Sequence, residues 1–296
     1  MWIGEIQFVN IDPVKKNYKE LEALYNATFV QLTNPSRTQF IDTSFGQTHL
    51  VSSGSREAKP VLVLHGAASN AVGCWPLING LASKYCVHAP DAPRQLGKTE
   101  TFHLSSANQD YGKWLAEVLD KLEIERVRVV GFSFGGWMAC KLALFVPKRI
   151  EKLVLISPIG IAPFRIRYLL QAPVSMLWML ISRSDASVHR FTKLVAGQTA
   201  SNELIDEMAT SARVFLKNFH FQDIPYRFSR KNLQKISTPT YLLAGKYDPF
   251  CNPEVTVSQI QNNLPNSQTE VIPDAGHVLI FEKPELVNAR VIKFFE

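Results

Sequence analysis

The sequence lacks the features that mark several protein classes. Only four of its 296 residues are cysteines, and their spacing suits neither a metal site nor a disulfide framework, so we expect free thiols in a reducing compartment, the cytoplasm. The net charge is +6, but no block of five or more basic residues occurs, which argues against a nucleic-acid partner.

The longest apolar stretch, Tyr168 to Ser182, is interrupted by Gln171 and Pro173 and is shorter than the ~18–20 residues that span a bilayer. We therefore expect no stable membrane insertion.

What is present is an alternation of strand and helix patterns, in a chain that is 46% hydrophobic and 20% charged. This composition is typical of a globular protein, and the alternation predicts a mostly parallel sheet with helical crossovers. The predicted strands are 40–43, 48–51, 61–65, 86–91, 126–132, 153–157, 239–245 and 268–272. The predicted helices are 13–31, 72–84, 105–122 (or 106–122), 137–145, 254–263 and 284–295.

The alternation stops between the fourth parallel strand and the next one. Residues 160–235 contain no clear strand pattern, and the part from Gly160 to Asn232 carries ten Lys or Arg against five Asp or Glu. We predict that 160–235 form a helical cap, inserted between a core of 1–159, which includes an N-terminal helical arm, and a second core part of 236–296. A cap placed after a strand covers the carboxyl edge of the sheet, where ligands of open α/β sheets bind.

A Gly-x-Ser-x-Gly sequence lies between a β-branched run and a helical pattern. The strand ends at Phe132, Ser133 follows, and Gly131 and Gly135 leave room for the strand and the helix to approach each other closely. In this setting Ser133 is the predicted nucleophile. The Phe134 N–H stands at a helix N-terminus, where unpaired amides favour a developing negative charge.

A serine nucleophile needs a base, and the base needs an orienting acid. Two later loops, each directly after a predicted strand, supply candidates in the expected chain order. Asp248 lies in the first loop and His277 in the second. Asp274 is a rival acid. It is only three residues from His277 on the same loop, so its carboxylate would struggle to reach the imidazole nitrogen that faces away from the serine. Asp248 is therefore preferred.

The loop after the first buried strand is the expected source of a second oxyanion donor. It reads His65-Gly66-Ala67-Ala68-Ser69. We predict that the N–H groups of Ala67 and Phe134 together bind the oxyanion. His65 is interpreted as a structural residue that braces this loop.

These stretches together resemble the α/β-hydrolase superfamily from about Phe40 to Glu296, most closely its capped carboxylesterase-like members. The resemblance implies an α/β-hydrolase fold, with a mostly parallel eight-stranded sheet flanked by helices and a helical cap. It also implies a Ser133–His277–Asp248 triad and no metal or organic cofactor. The chain departs from the family pattern in its loop from Asp91 to Thr99, which is longer than usual and has threonine in place of the usual serine. The His-Gly-Ala-Ala loop argues against the hormone-sensitive-lipase-like branch.

The predicted function is hydrolysis of small to medium apolar esters through an acyl-enzyme. A C–C bond hydrolase and a cofactor-free haloperoxidase use the same triad and are alternatives. A signalling partner or receptor built on the hydrolase fold is another, and so is peripheral membrane contact through Tyr168 to Ile181. The predicted partner is a small-molecule ester, and the oligomeric state stays open.

Overall fold

An eight-stranded sheet runs through the computed structural model, which describes residues 18–217 and 225–296. The strand order is β1-β2-β4-β3-β5-β6-β7-β8. The pairs β1–β2 and β2–β4 are antiparallel and the other pairs are parallel, so the predicted mostly parallel eight-stranded sheet is confirmed. The strands are β1 Ser36–Thr43, β2 Gly46–Ser53, β3 Pro60–Leu64, β4 Cys86–Pro90, β5 Val127–Phe132, β6 Ile150–Ile156, β7 Thr240–Gly245 and β8 Ser267–Ile272.

Helices cover the sheet and also occur in the segment between β6 and β7. They are α1 Tyr18–Phe29, α2 Trp75–Ala82, α3 Asp110–Lys121, α4 Phe134–Phe145, α5 Ile166–Ser182, α6 Asp185–Ala196, α7 Asn202–Lys217, α8 Arg230–Leu233, α9 Pro253–Asn263, α10 Leu279–Glu282 and α11 Pro284–Phe295. The first part of the predicted helix 13–31, before Tyr18, lies outside the described residues.

The central strands are apolar on both faces because helices pack on both sides. Leu62 and Leu64 of β3 point into one core cluster, together with buried residues of α3 and α4. Val61 and Val63 of the same strand point into the other cluster, which includes buried residues of α2 and α11. This alternation follows from the two-residue period of a strand, and it explains the continuous hydrophobic run in the sequence.

Two predicted helices begin at different places in the structure. The helix predicted from residue 105 or 106 begins at Asp110. In the loop before it, side chains take backbone groups that a longer helix would use: the Asp110 N–H donates to Oδ1 of Asn108, and the Ser105 N–H donates to Oδ2 of Asp110. The helix predicted over 72–84 is a short 3₁₀ turn, Ala71–Cys74, followed by α2. Pro76 stands in the first turn of α2, where its missing N–H costs no hydrogen bond.

The segment between β6 and β7 is helical in its described residues. It contains α5 to α8 and a single isolated bridge between Phe164 and Cys251, with no strand among the residues described there. We call residues 160–235 the cap, and their division from the core as a separate domain stays a prediction. The described helices include none with the length and apolar character needed to cross a membrane.

Candidate active site

Ser133 occupies the tight connection between β5 and α4. Its φ of 54° and ψ of −113° are uncommon for a residue with a side chain, and such strain persists only where the surroundings hold it. The Ser133 N–H donates to the carbonyl of Ile156 at 2.9 Å, and the Ser133 carbonyl accepts from Gly136 at 3.0 Å. The backbone is thus fixed on both sides, and the helix begins directly at Phe134, three residues earlier than predicted.

Two glycines allow β5 and α4 to come this close. A Cβ on Gly135 would overlap the carbonyl oxygen of Leu64 in the neighbouring strand, and a Cβ on Gly131 would overlap the carbonyl of Gly135. Both obstacles are backbone atoms, which cannot move aside as a flexible side chain can. The strand and the helix thus approach each other closely at these glycines, as predicted from the sequence.

A chain of hydrogen bonds joins the serine to the predicted base and acid. Nε2 of His277 lies 2.9 Å from Oγ of Ser133, and Nδ1 of His277 lies 2.8 Å from Oδ2 of Asp248. A carboxylate can only accept, so Nδ1–H donates to Asp248 and Nε2 is free to accept the serine proton. All three residues are buried. The rival acid Asp274 is exposed at a turn with a φ of 53°.

Phe250 supports this chain, and the sequence patterns did not single it out. Its backbone N–H donates to Oδ1 of Asp248 at 2.7 Å, so both carboxylate oxygens are engaged. Its ring lies against the His277 imidazole with centroids 4.2 Å apart, and against Tyr168 of the cap at 4.3 Å. Phe250 therefore links the cap, the acid and the base. Its position two residues after Asp248 is the only sequence signal for this role.

Glu282 holds the loop that carries His277 and was also missed. One of its carboxylate oxygens accepts the N–H of Gly276 at 2.8 Å, and the other accepts the hydroxyl of Thr199 from the cap. Glu282 belongs to a short helix after the histidine, in no recognised motif. Only the three-dimensional structure reveals the contact.

Both predicted oxyanion donors belong to segments next to the serine. A Cβ placed on Gly66 would lie 3.6 Å from Cβ of Ser133, so the loop containing Ala67 borders the serine directly. The Phe134 N–H is at the first position of α4. In the described part of the chain neither the Ala67 N–H nor the Phe134 N–H has a hydrogen-bond acceptor. Both amides are therefore free to bind an oxyanion.

His65 braces the oxyanion loop, as interpreted from the sequence. Its Nδ1 donates to the carbonyl of Gly66 at 2.7 Å and its Nε2 accepts the N–H of Ala92 at 2.9 Å. This pair of contacts requires a neutral imidazole. Burial lowers the pKa of His65 below its ordinary value and so favours the same form.

Comparison with known proteins decides the family. The model of a family described as the alpha/beta hydrolase family matches residues 61–290. The chain belongs to the alpha/beta hydrolase family.

Proteins that are similar to this hydrolase in sequence or in solved structure include carboxylesterases of Bacillus subtilis. The uncharacterized carboxylesterase nap of strain 168 is 30% identical over 279 residues, covering 86% of this chain and 85% of the relative. The carboxylesterase YbfK of the same strain is 26% identical, with 88% of each chain covered. The crystal structure of naproxen esterase (carboxylesterase NP) from B. subtilis superposes with a TM-score of 0.84 at 27% identity. That superposition covers 96% of this chain and 100% of the other.

The unusual loop from Asp91 to Thr99 is organised around the buried Asp91 carboxylate. The carboxylate accepts hydrogen bonds from the N–H of Ala71 at 2.6 Å, the N–H of Lys98 at 2.8 Å and Nδ1 of His49 at 2.8 Å. Burial opposes ionisation, but these hydrogen bonds hold the pKa of Asp91 below its ordinary value. Thr99, which replaces the family's serine, donates to the Asp91 carbonyl at 2.7 Å.

This loop also reaches the oxyanion loop of the hydrolase. Oε1 of Gln95 accepts the N–H of Ala68 at 2.7 Å, and the Leu96 N–H donates to the Ser69 carbonyl at 3.0 Å. Gln95 was not identified as a site residue from the sequence. It fixes the residue next to Ala67 and so helps to orient a predicted oxyanion donor.

Two cavities of the hydrolase flank the Ser133–His277–Asp248 chain. The smaller, of about 460 Å³, includes Gly66 and Ala67 of the oxyanion loop and Val278 beside the histidine. Its other walls include the apolar residues Leu24, Leu96, Phe132, Phe191, Leu204, Met208 and Phe281. The larger, of about 1380 Å³, includes Asp248 and is bounded mainly by α5, α6 and the loop after β7. Phe132, which precedes Ser133, and Gly66, which packs beside it, both line the smaller cavity.

Proposed function

We propose that this alpha/beta hydrolase is a carboxylesterase that works through Ser133, His277 and Asp248. The observation that carries the proposal is the continuous hydrogen-bonded chain from Asp248 through His277 to a strained, buried serine. Carboxylesterase relatives that cover most of the chain support the same reaction class.

The first half of the reaction forms an acyl-enzyme. Nε2 of His277 takes the hydroxyl proton as Oγ of Ser133 attacks the ester carbonyl, and the Asp248 carboxylate stabilises the imidazolium that results. The imidazolium then gives its proton to the alcohol oxygen as the carbon–oxygen bond breaks. In the second half, His277 takes a proton from water, the hydroxide attacks the acyl carbon, and the acid leaves as Ser133 recovers its proton.

The oxyanion of both tetrahedral intermediates is bound by the N–H groups of Ala67 and Phe134. Among residues 18–217 and 225–296, neither N–H has a hydrogen-bond acceptor, and both belong to segments next to the serine. Donors fixed in advance by folding stabilise the developing charge without reorganising during the reaction, and loss of one typically costs about 10²–10³-fold in kcat. The brace from His65 and the hydrogen bond to Gln95 hold the Ala67 side of this pair.

The substrate class follows from the smaller cavity, which supports small to medium apolar esters. It borders the oxyanion loop, and most of its walls are aliphatic and aromatic. An apolar acyl or alcohol part gains free energy from leaving water there. We also assign the protein to the cytoplasm, because all four cysteines are buried free thiols, as expected in a reducing compartment.

Hydrolysis of p-nitrophenyl esters of increasing acyl length, followed by p-nitrophenolate absorbance, tests the proposal. We expect turnover by the wild-type protein with a preference for short to medium chains, and loss of turnover in Ser133→Ala. Turnover by Ser133→Ala equal to that of the wild type would remove the serine from the mechanism. No turnover at any chain length would favour the alternative of a hydrolase-fold receptor.

A further inference from the structure

The outward side of α5 in the cap is an apolar surface. Thirteen large apolar side chains are exposed in the described part of the chain, and nine of them lie on this one helix. The most exposed are Ile166 at 77%, Ile181 at 74%, Val174 at 69% and Leu170 at 68%. Contiguous exposed apolar patches in proteins mark interaction surfaces.

The arrangement of α5 is the reverse of an ordinary surface helix. Its buried stripe consists of Ala172, Ser175 and Met179, and Met179 packs with Val188 of α6 and Ala209 of α7. Helical spacing places a longer apolar stripe on the opposite side. We call this stripe the α5 outer face, and it consists of Ile166, Leu170, Val174, Leu177 and Ile181. The helix thus buries only Ala172, Ser175 and Met179, and turns five large aliphatic residues outward.

The charges along this segment are all positive. Arg165 and Arg167 flank the start of α5, Arg183 caps its end, and no Asp or Glu occurs between 165 and 183. Arg190 of α6 lies over the Trp178 ring at 5.8 Å. The nearest following acid, Asp185, is paired with Nε of Arg213 at 2.9 Å. A partner for the α5 outer face must therefore offer both apolar groups and negative charge.

A second copy of the chain does not meet this requirement. In a two-fold symmetric contact each residue faces the same patch of the partner. An antiparallel pair of α5 helices would bring Arg165 and Arg167 towards Arg183 of the other copy, and a parallel pair would bring each arginine towards itself. The segment has no acid to offset either contact.

We propose that the α5 outer face docks on an anionic lipid bilayer. Aliphatic side chains would enter the boundary between headgroups and acyl chains while the exposed Arg167 and Arg183 contact anionic headgroups, with the helix parallel to the surface. Trp178 suits the same depth, since tryptophan is enriched at membrane interfaces. This binding is peripheral and adds to the proposed esterase activity without depending on it.

Vesicle flotation of the full chain tests the proposal. Wild-type protein is mixed with vesicles of pure phosphatidylcholine, or with vesicles in which half of the lipid is phosphatidylglycerol, and the floating fraction is measured. We expect strong binding to the phosphatidylglycerol vesicles, weaker binding to the neutral ones, and weakening by salt.

Two variants and two matched controls assign the binding to α5. The double variant Leu177→Ser/Ile181→Ser is expected to lower the partition coefficient at least ~10-fold, and Arg183→Gln about fivefold. The controls are Val30→Ser, which alters an apolar side chain that is 75% exposed outside the cap, and Arg126→Gln, which precedes β5 at the opposite edge of the sheet. Both controls should bind as the wild type does.

Several results would overturn the proposal. One is that wild-type protein stays in the unbound fraction with both vesicle types. Another is that the wild type and the double variant bind the vesicles equally. A third is that the control substitutions weaken vesicle binding as much as the α5 substitutions do. Sedimentation velocity adds another: wild-type protein that dimerises without binding vesicles, and a double variant that is monomeric, would assign the face to a second copy. Thermal melts and hydrolysis of a water-soluble p-nitrophenyl ester, both expected to be unchanged in the double variant, show that it is folded.

Discussion

Asp248 and His277 are 29 residues apart in the chain, and a hydrogen bond of 2.8 Å joins Oδ2 of the acid to Nδ1 of the base. The acid reaches the base from the neighbouring strand's loop, whereas Asp274, in the base's own loop, is exposed. The parallel pairing of β7 and β8 puts both loops at the same edge of the sheet. This places the acid opposite the imidazole nitrogen that faces away from Ser133.

Replacing this acid should reduce catalysis far more than it reduces stability. Asp248→Asn keeps the size of the side chain but removes the charge that fixes the His277 tautomer, so we expect kcat to fall roughly 10³–10⁴-fold. Asp274→Asn is the matched control and should keep nearly full activity. Steady-state hydrolysis of a p-nitrophenyl ester measures both. A large loss of activity in Asp274→Asn, or only a small loss in Asp248→Asn, would show that Asp248 is not the acid.

The glycines near Ser133 should differ in their tolerance of a methyl group. Gly135→Ala meets the backbone of Leu64, whereas the nearest atom to a Cβ on Gly66 is a ring carbon of Phe132 at 3.2 Å, which can shift slightly. We expect Gly135→Ala to lower the free energy of unfolding by about 3 kcal/mol or more and Gly66→Ala by clearly less, since overpacking costs about 1–3 kcal/mol where neighbours can adjust. Urea unfolding followed by tryptophan fluorescence measures the difference. The reverse order of the two losses would contradict the packing described here.

Asp91 should be a major contributor to stability. Its buried carboxylate accepts two backbone N–H groups and Nδ1 of His49, and an asparagine would turn an NH₂ group towards one of these donors. We expect Asp91→Asn to cost about 2–4 kcal/mol, measured by urea unfolding. Asp42→Asn changes an exposed carboxylate and should leave the free energy of unfolding within about 0.5 kcal/mol of the wild type. Equal effects of the two changes would show that the Asp91 network contributes little.

Stability should fall on mild acidification through His88. Burial, aided by the charge of Arg37, lowers the pKa of His88 to about 4, while the unfolded chain has a pKa of about 6.5. The unfolded state therefore binds the proton more readily between these values. The contribution of His88 to the free energy of unfolding is therefore expected to be constant above pH 6.5. It should fall by up to roughly 3 kcal/mol as the pH is lowered to 4.

The variant His88→Gln isolates this contribution. His65, whose pKa burial also lowers, acts in the same direction in both proteins, so the difference between wild-type and variant curves belongs to His88. Urea unfolding at several pH values between 7.5 and 4 gives the two curves. Parallel curves would contradict a buried, neutral His88.

The features that the sequence predicted best are encoded locally. The strand, Ser133, the two glycines and the helix follow one another without a gap, so the pattern that predicts the turn lies in one continuous stretch of sequence. Asp248 and His277 could be predicted because each directly follows a strand, and the parallel pairing of those strands brings their loops together. The helical segment between β6 and β7 was predicted from the interruption of the alternating pattern.

The features that were missed depend on contacts between distant parts of the chain. Phe250, Glu282 and Gln95 act through hydrogen bonds or ring contacts with residues brought near by the fold. The loop before α3 is also held from a distance, since Nζ of Lys141, from α4, donates to the carbonyls of Ser106 and Asn108. Peripheral membrane contact through Tyr168 to Ile181 was an alternative from the sequence, but which α5 side chains point outward depends on how this helix packs on α6 and α7.

The most direct test of the account is covalent labelling of the serine by a fluorophosphonate probe, with the adduct located by mass spectrometry of the digested protein. We predict a single adduct on the peptide that contains Ser133, absent from Ser133→Ala and strongly slowed in His277→Ala. An unlabelled wild-type protein, or labelling that persists in Ser133→Ala, would contradict the assignment of Ser133 as the nucleophile.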